Sequence, residues 1–368
     1  MKQEYNSNKF VKTLQPYKLS VHKVWEDLEN MNILKLDWNE SVIPPSPKVV
    51  NALKTLFDGQ TRLNWYPDTL NFELIESLAR YTGLPKEYLQ YFGGSDAAHE
   101  YIIRALINPN DTIVILSPNY DNFRVHALAQ GAKVINIDFY NNNNFGINDL
   151  IKQLNDISPN LIYLSNPNNP TGSIFTQSEI SQIISNYQSG IFLIDEAYIE
   201  FHDTSSIQLV LNNPNLIITR TFSKAFGLAS LRIGYIAADP FILELINRIR
   251  NPKLISLPAQ ISAIAALDDI EYMNSYVKIV NEALEYFTKG IIDLGFYYKP
   301  GGGNFILLKF DTESNKESCL NYLEERSVYI RNLKHLQGMN TFARITIGTK
   351  PNMEYLLSLL NDWKISNG

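Results

Sequence analysis

Five short runs between residues 112 and 220 constrain this chain more than anything else in it. They are TIVIL (112–116), KVINI (133–137), LIYLS (161–165), IFLID (191–195) and LIITR (216–220). Each is nearly all apolar, the pattern of strands covered on both faces, and segments of helical length lie between most of them. The alternation predicts an α/β unit built on a mainly parallel sheet clothed by helices. Ligands of such sheets sit beyond the carboxyl ends of the strands. Three of the runs end in polar residues: Ser165-Asn166-Pro167, Asp195-Glu196 and Arg220-Thr221. A site is expected there.

The texture changes after Pro258. One long helical region (259–294) leads to Gly301-Gly302-Gly303 and a strand (304–309). A helix (316–326), strands near Val328 and Ile345 and a last helix (352–362) complete a smaller α+β unit. The expected division is a large domain over residues 36–257 and a small domain made of 1–35 with 258–368. No internal repeat is visible, and Asn141 to Asn144 reads as a surface turn.

Several function classes lose support. With 45% hydrophobic and 19% charged residues the chain has the composition of a globular protein with a large core. A formal charge of −6 argues against a broad attraction to nucleic acid or anionic membranes, so any anion site must be local. The single cysteine, Cys319, cannot form an internal disulfide and reads as a small buried side chain. The amino terminus has no apolar signal run and no stretch of about 18 apolar residues occurs, so a cytoplasmic location is expected. His22, His99, His126, His202 and His335 show no metal-ligand spacing, and no catalytic metal is expected. His99, close behind a Gly-Gly turn, is expected to serve in packing. No Gly-x-Gly-x-x-Gly follows a strand, which disfavours a nicotinamide site.

Four elements follow the strand ends in order. They are Asn168-Asn169-Pro170-Thr171-Gly172, Asp195-Glu196-Ala197-Tyr198, Thr221-Phe222-Ser223-Lys224, and Leu231-Arg232-Ile233-Gly234. Singly, each reads equally well as a turn, a helix cap or a surface cation. Together they resemble the fold-type I pyridoxal-phosphate enzymes, and among them the histidinol-phosphate aminotransferase branch. The resemblance runs from Leu14-Gln15-Pro16-Tyr17 to Arg344-Ile345-Thr346-Ile347-Gly348.

That resemblance implies a cofactor, pyridoxal 5'-phosphate, and a role for each matching residue. Lys224 carries the cofactor as a Schiff base and later moves a proton between substrate and cofactor. Asp195 keeps the pyridine nitrogen protonated; Asn169 and Tyr198 hydrogen-bond the phenolic oxygen; Tyr120 stacks on the ring. Ser95-Asp96-Ala97, opening a helix after Gly93-Gly94, offers backbone amides to the phosphate, where Ser223 and Arg232 join them. Relatives usually carry an acidic residue where Ala97 stands. Tyr66 matches a tyrosine that reaches the phosphate of a neighbouring subunit, which implies a homodimer with shared active sites.

Arg344 and Arg331 match arginines that clamp a substrate carboxylate or phosphate, and Asn39 and Tyr17 match substrate-side residues. Asn39-Glu40 departs from the relatives' Asn-Glu-Asn-Pro at Ser41-Val42-Ile43-Pro44, which leaves the acceptor open. The expected reaction moves an amino group from glutamate or a similar donor to a small, phosphorylated carbonyl acceptor of the imidazole-acetol phosphate or dihydroxyacetone phosphate type. Decarboxylation of an O-phosphoamino acid is the alternative on the same residues. A cofactor-sensing regulator is remote, since no basic helix-turn-helix pattern precedes the fold.

Overall fold

The computed structural model describes residues 7–12, 14–16, 23–25, 33–58, 63–140 and 145–367. Its framework is a seven-stranded sheet made of β2 (Leu89–Phe92), β3 (Thr112–Ser117), β4 (Lys133–Asp138), β5 (Leu161–Ser165), β6 (Ile191–Asp195), β7 (Leu216–Thr221) and β8 (Gly234–Ala238). The spatial order is β2-β8-β7-β6-β5-β3-β4, with β8 antiparallel to both neighbours and the remaining pairs parallel. All five apolar runs are strands of this sheet.

Alternate residues of those strands enter two separate cores, as a pleat of period two requires. Ile113, Leu161, Leu193 and Ile217 face a core closed by Ile102, Phe123 and Ile246. Val114, Ile162, Phe192 and Ile218 face the other, which Leu78, Leu150, Ile183 and Ala263 cover. The first set of helices is α3 (Ser95–Leu106), α4 (Asn122–Ala129) and α7 (Pro240–Asn247). The second includes α2 (Phe72–Thr82), α5 (Ile147–Ile157), α6 (Gln177–Asn186) and α8 (Leu257–Leu267), with α1 (Pro47–Asp58) against α8.

β4 departs from the expectation that every run is covered on both faces. It is the edge strand, and Lys133, Ile135, Asn136 and Asp138 are exposed. Polar Asn136 and Asp138 in its second half fit an edge position.

A five-stranded sheet, ordered β1-β11-β12-β10-β9, forms the second unit. Its strands are β1 (Leu34–Leu36), β9 (Tyr297–Lys299), β10 (Phe305–Lys309), β11 (Val328–Asn332) and β12 (Phe342–Thr346). β1 pairs parallel with β11, so a segment from early in the chain completes a sheet otherwise built from its last quarter. The single helix expected over 259–294 is two, α8 and α9 (Ile270–Asp293). The break falls at Asp268-Asp269, where the Asp269 carboxylate accepts from the Ser46 hydroxyl and lies 3.8 Å from the Lys48 ammonium. α10 (Glu313–Glu324) starts earlier than expected because the Thr312 hydroxyl caps it, accepting from Asn315 N at 3.1 Å. α11 (Lys350–Asn367) ends the chain.

The two sheets meet across a close backbone approach. Gly172 adopts φ 73°, and a Cβ there would lie 2.3 Å from Gly301 Cα. Only glycine fits such a contact, so Asn-Pro-Thr-Gly and the Gly301-Gly302-Gly303 run are two halves of one joint. Among the described residues no helix is long and apolar enough to cross a membrane.

Candidate active site

Three parallel strands deliver three polar residues side by side. Ser165 ends β5 opposite Asp195, which ends β6, and Asp195 stands opposite Thr219 on β7. Beyond them opens a cavity of about 590 Å³, the size of a small-molecule site. Ser95, Asp96, Tyr120, Asn169, Asp195, Tyr198, Ser223, Lys224, Arg232, Arg331 and Arg344 all line it. Eleven of the residues singled out in the sequence therefore share one hollow.

Asp195 lies at the cavity floor, where burial, and secondarily the negative charge of Asp96, push its pKa up to about 7. Donors work against that shift: the Thr219 hydroxyl at 3.3 Å from Oδ1, and the Tyr163 hydroxyl at 3.5 Å from Oδ2. A cation beside this carboxylate is the natural way to keep it ionised.

Lys224 follows β7 in a tight turn, and its Nζ donates to the Trp38 carbonyl at 2.8 Å. Burial first, then the nearby Arg344 guanidinium, lower its pKa from 10.5 to about 8. A substantial neutral fraction near pH 7 to 8 makes this amine fit for nucleophilic and proton-transfer work. Tyr198 packs edge-on against Phe305, ring centres 5.1 Å apart. Its hydroxyl accepts from the amides of Asn39 at 3.1 Å and Asn169 at 3.2 Å.

At one end of the cavity, α3 begins without a side-chain cap. Its first amides therefore point outward with the positive end of the helix dipole behind them. Arg232 stands beside them, Nη1 donating to Ser223 Oγ at 3.2 Å and Nη2 lying 3.5 Å from Asp96 Oδ2. Gly94, at φ 88°, admits the guanidinium; a Cβ there would lie 2.8 Å from Arg232 Nη2. Amides, hydroxyl and guanidinium make a cradle for an anion. A cradle of backbone amides does not depend on the side chain at Ala97, so the missing acidic group there leaves it standing.

The opposite wall comes from the five-stranded sheet. Arg331 and Arg344 are Cα partners on β11 and β12, and both are buried. Arg344 Nη1 donates to Asn169 Oδ1 and Nη2 to the Asp37 carbonyl, each at 2.6 Å.

Comparison with known proteins settles the family. The sequence profile of the aminotransferase class I and II family matches residues 31–360. A dihydroxyacetone phosphate transaminase from Campylobacter jejuni is 41% identical over 368 residues, covering 98% of each chain. A histidinol-phosphate aminotransferase from a Geobacillus species is 33% identical over 356 residues, covering 94% of this chain and 95% of its own. The crystal structure of histidinol-phosphate aminotransferase from Sinorhizobium meliloti, in complex with pyridoxal-5'-phosphate, superposes with a TM-score of 0.90 at 23% identity over the full length of both chains. The chain belongs to the aminotransferase class I and II family. It is a pyridoxal-phosphate enzyme that transfers an amino group from a donor to a carbonyl acceptor.

The residues present fit the cofactor of this aminotransferase. The uncapped α3 terminus, Ser223 and Arg232 offer a phosphate what it needs, and a buried amine and a buried carboxylate line the same cavity. Three of the expected residues, Ala97, Asn39 and Tyr66, do not line the cavity. Asn39 is completely buried behind the wall, in left-handed conformation at φ 55°, tied to Thr346 Oγ1 through its amide N at 2.9 Å and its Oδ1 at 3.0 Å. An asparagine tolerates that backbone better than most residues. Tyr66 is 79% exposed under the Lys253 ammonium and does not line the cavity of its own chain. Tyr17 lies outside the described residues.

Sequence reasoning also missed part of the wall. Trp38, Glu40, Leu333, His335 and Leu336 line the cavity. Glu40 had a signal, since it follows Asn39. His335 had none, because only the turn after β11 brings it round.

Proposed function

We propose that this aminotransferase exchanges an amino group between glutamate, or a similar donor, and a small phosphorylated ketone of the dihydroxyacetone phosphate type. The observation that carries the reading is the buried pair Arg331 and Arg344, in register on neighbouring strands and facing the cavity that holds Lys224. Two guanidinium forks on one wall match the paired oxygens of a carboxylate and a phosphate. The 41% identical dihydroxyacetone phosphate transaminase supports the same choice of acceptor.

The geometry supports a role for each residue. When bound, the cofactor supplies an electron sink that acidifies the bond next to the substrate's amino group. Lys224 would hold the cofactor through Nζ, and its amine would then carry the proton from the substrate carbon to the cofactor. Asp195 keeps the ring nitrogen protonated, and Tyr198 with Asn169 orients the ring's phenolic oxygen. Tyr120 covers the ring face. The amides of Ser95, Asp96 and Ala97, with Ser223 and Arg232, hold the phosphate. Arg344 and Arg331 grip the substrate's anionic groups, while Asn39 steadies Tyr198 from behind.

A homodimer is part of the proposal. Phe57, Leu63, Trp65, Tyr66, Leu70 and Phe72 are all exposed large apolar side chains between the end of α1 and the start of α2. Such a concentration supports a subunit interface there, across which Tyr66 would reach a partner's phosphate cradle. We also propose the division into a cofactor-binding domain over 36–257 and a smaller one of 1–35 with 258–368, with two adjustments: α8 goes with the large sheet and Leu36 with the small one.

The test is a half-reaction screen on purified protein. Glutamate should yield 2-oxoglutarate, and dihydroxyacetone phosphate should then restore the starting absorbance, in ping-pong fashion. Carbon dioxide from O-phosphothreonine without 2-oxoglutarate from any donor and acceptor would sink transamination in favour of decarboxylation. For the shared site, mixing Tyr66→Ala with Lys224→Ala subunits should regain activity, and failure to do so would separate the two sites.

A further inference from the structure

His99 is completely buried one layer behind the cavity. Its ring stands edge-on to Phe123 and Tyr163, centres 5.7 and 5.5 Å away, and those two rings stack on each other at 4.0 Å. Packing alone explains the flat shape but not the direction of its polar edge. Nε2 lies 3.0 Å from Thr219 Oγ1, and Thr219 Oγ1 in turn donates to Asp195 Oδ1 at 3.3 Å. A hydroxyl has one hydrogen, so with that hydrogen on Asp195 the imidazole must be the donor at the other contact. The tautomer is then Nε2–H, which leaves Nδ1 as a bare lone pair; Nδ1 is buried without a hydrogen-bond partner.

The charge state agrees. Burial lowers the His99 pKa to about 4, so the ring is neutral at working pH and its 3.9 Å approach to Asp195 Oδ2 is not an ion pair. The groups facing this pair are Asp96 on α3, His126 on α4, and Tyr163 on β5 with Tyr120 near it; Asp96 favours the protonated form of both His99 and Asp195. Against that field, every hydrogen bond aimed at the carboxylate counts toward keeping it ionised.

We propose that His99 is a positioning residue: by donating to Thr219 it fixes that hydroxyl as a donor to Asp195, and so holds Asp195 in the ionised form that keeps the cofactor's ring nitrogen protonated. The proposal rests on the assignment of Asp195 to the ring nitrogen.

His99→Phe keeps a flat ring and removes the donor, while His99→Gln keeps a donor near the same point. The first readout is a carbon-13 titration of the Asp195 carboxyl in cofactor-free protein. His99→Phe should move its midpoint up by roughly half to one unit, the worth of one modest hydrogen bond, and His99→Gln should bring it back. In the loaded enzyme kcat should fall roughly three- to tenfold with the donor KM unchanged, and cofactor affinity should drop by a similar factor. A folded His99→Phe with an unshifted midpoint and unchanged kcat overturns the relay and leaves the imidazole as packing. Should His99→Phe fail to fold, Thr219→Val against Thr219→Ser decides: an upward shift in the valine variant alone supports the relay, and no shift in either defeats it. Asp195→Asn separates the two claims. A crippled Asp195→Asn beside a silent His99→Phe sinks only the relay, whereas full activity in Asp195→Asn removes the assignment on which the relay rests.

Discussion

The two walls of the cavity are built in opposite ways. The cofactor wall is local: Asp195 and Lys224 sit at or just past the ends of neighbouring parallel strands, each within a few residues of its own strand. The substrate wall is assembled from distant stretches of chain. Arg344 on β12 holds the Asp37 carbonyl and the Asn169 side chain, and Asn39 is tied to Thr346 on β12 and to Tyr198. Buried cores hold both walls, since Ile330, Ala343 and Ile345 beside the two arginines are core residues too; the second wall adds hydrogen bonds between distant segments. On the proposed roles, chemistry common to all substrates falls to the local wall, and selection among substrates to the composite one.

Replacing a residue of each wall should therefore fail in different kinetic terms. The largest effect is expected from Lys224→Ala, where kcat should fall on the order of 10⁴-fold or more because the proton carrier is gone. Steady-state turnover with saturating donor checks it, and turnover within tenfold of the parent would break the assignment. Arg344→Ala should instead raise the KM for anionic substrate and lower kcat/KM about 10²-fold, the cost of truncating one partner of a buried charged contact. If kcat dropped alone, with KM untouched, Arg344 would belong to the chemistry and the contrast between the walls would dissolve.

The same contrast explains what was legible in the sequence. Strand runs, the Asn-Pro-Thr-Gly turn and Lys224 were readable because each is a short stretch whose neighbours in sequence are its neighbours in space. The β4 edge position was not, since apolar content alone does not say how many faces are covered. The break between α8 and α9 is met by contacts from Ser46 and Lys48, more than 200 positions away from Asp269. His335, Trp38 and the Thr219–His99 contact behind Asp195 are likewise products of tertiary packing. Asn39 was singled out as a substrate residue, yet its side chain serves the wall from behind, a distinction that only three-dimensional contacts make.

A smaller effect sharpens the comparison, because the walls touch electrostatically. The Arg344 guanidinium is, after burial, the main cause lowering the Lys224 pKa to about 8. Only a neutral amine adds to an aldehyde, so the rate of cofactor uptake by cofactor-free protein should rise with pH and level off above about 8. Removing the guanidinium favours the ammonium form, so in Arg344→Ala the midpoint should move upward and uptake near neutral pH should slow. Arg344→Lys keeps the positive charge but loses the two-pronged grip. It should weaken substrate binding while leaving the uptake midpoint near its original place. Stopped-flow uptake across pH 6 to 10 reads both variants. A midpoint that stays put in Arg344→Ala would mean that solvent screens the two walls from each other. Burial alone would then set the Lys224 amine, and a substrate anion arriving at Arg344 would have no means of altering it. A shift in Arg344→Ala without one in Arg344→Lys would make the substrate wall part of what tunes the cofactor wall: neutralising Arg344 with a bound carboxylate or phosphate would raise the proton affinity of Lys224 at the moment that amine is needed as a base.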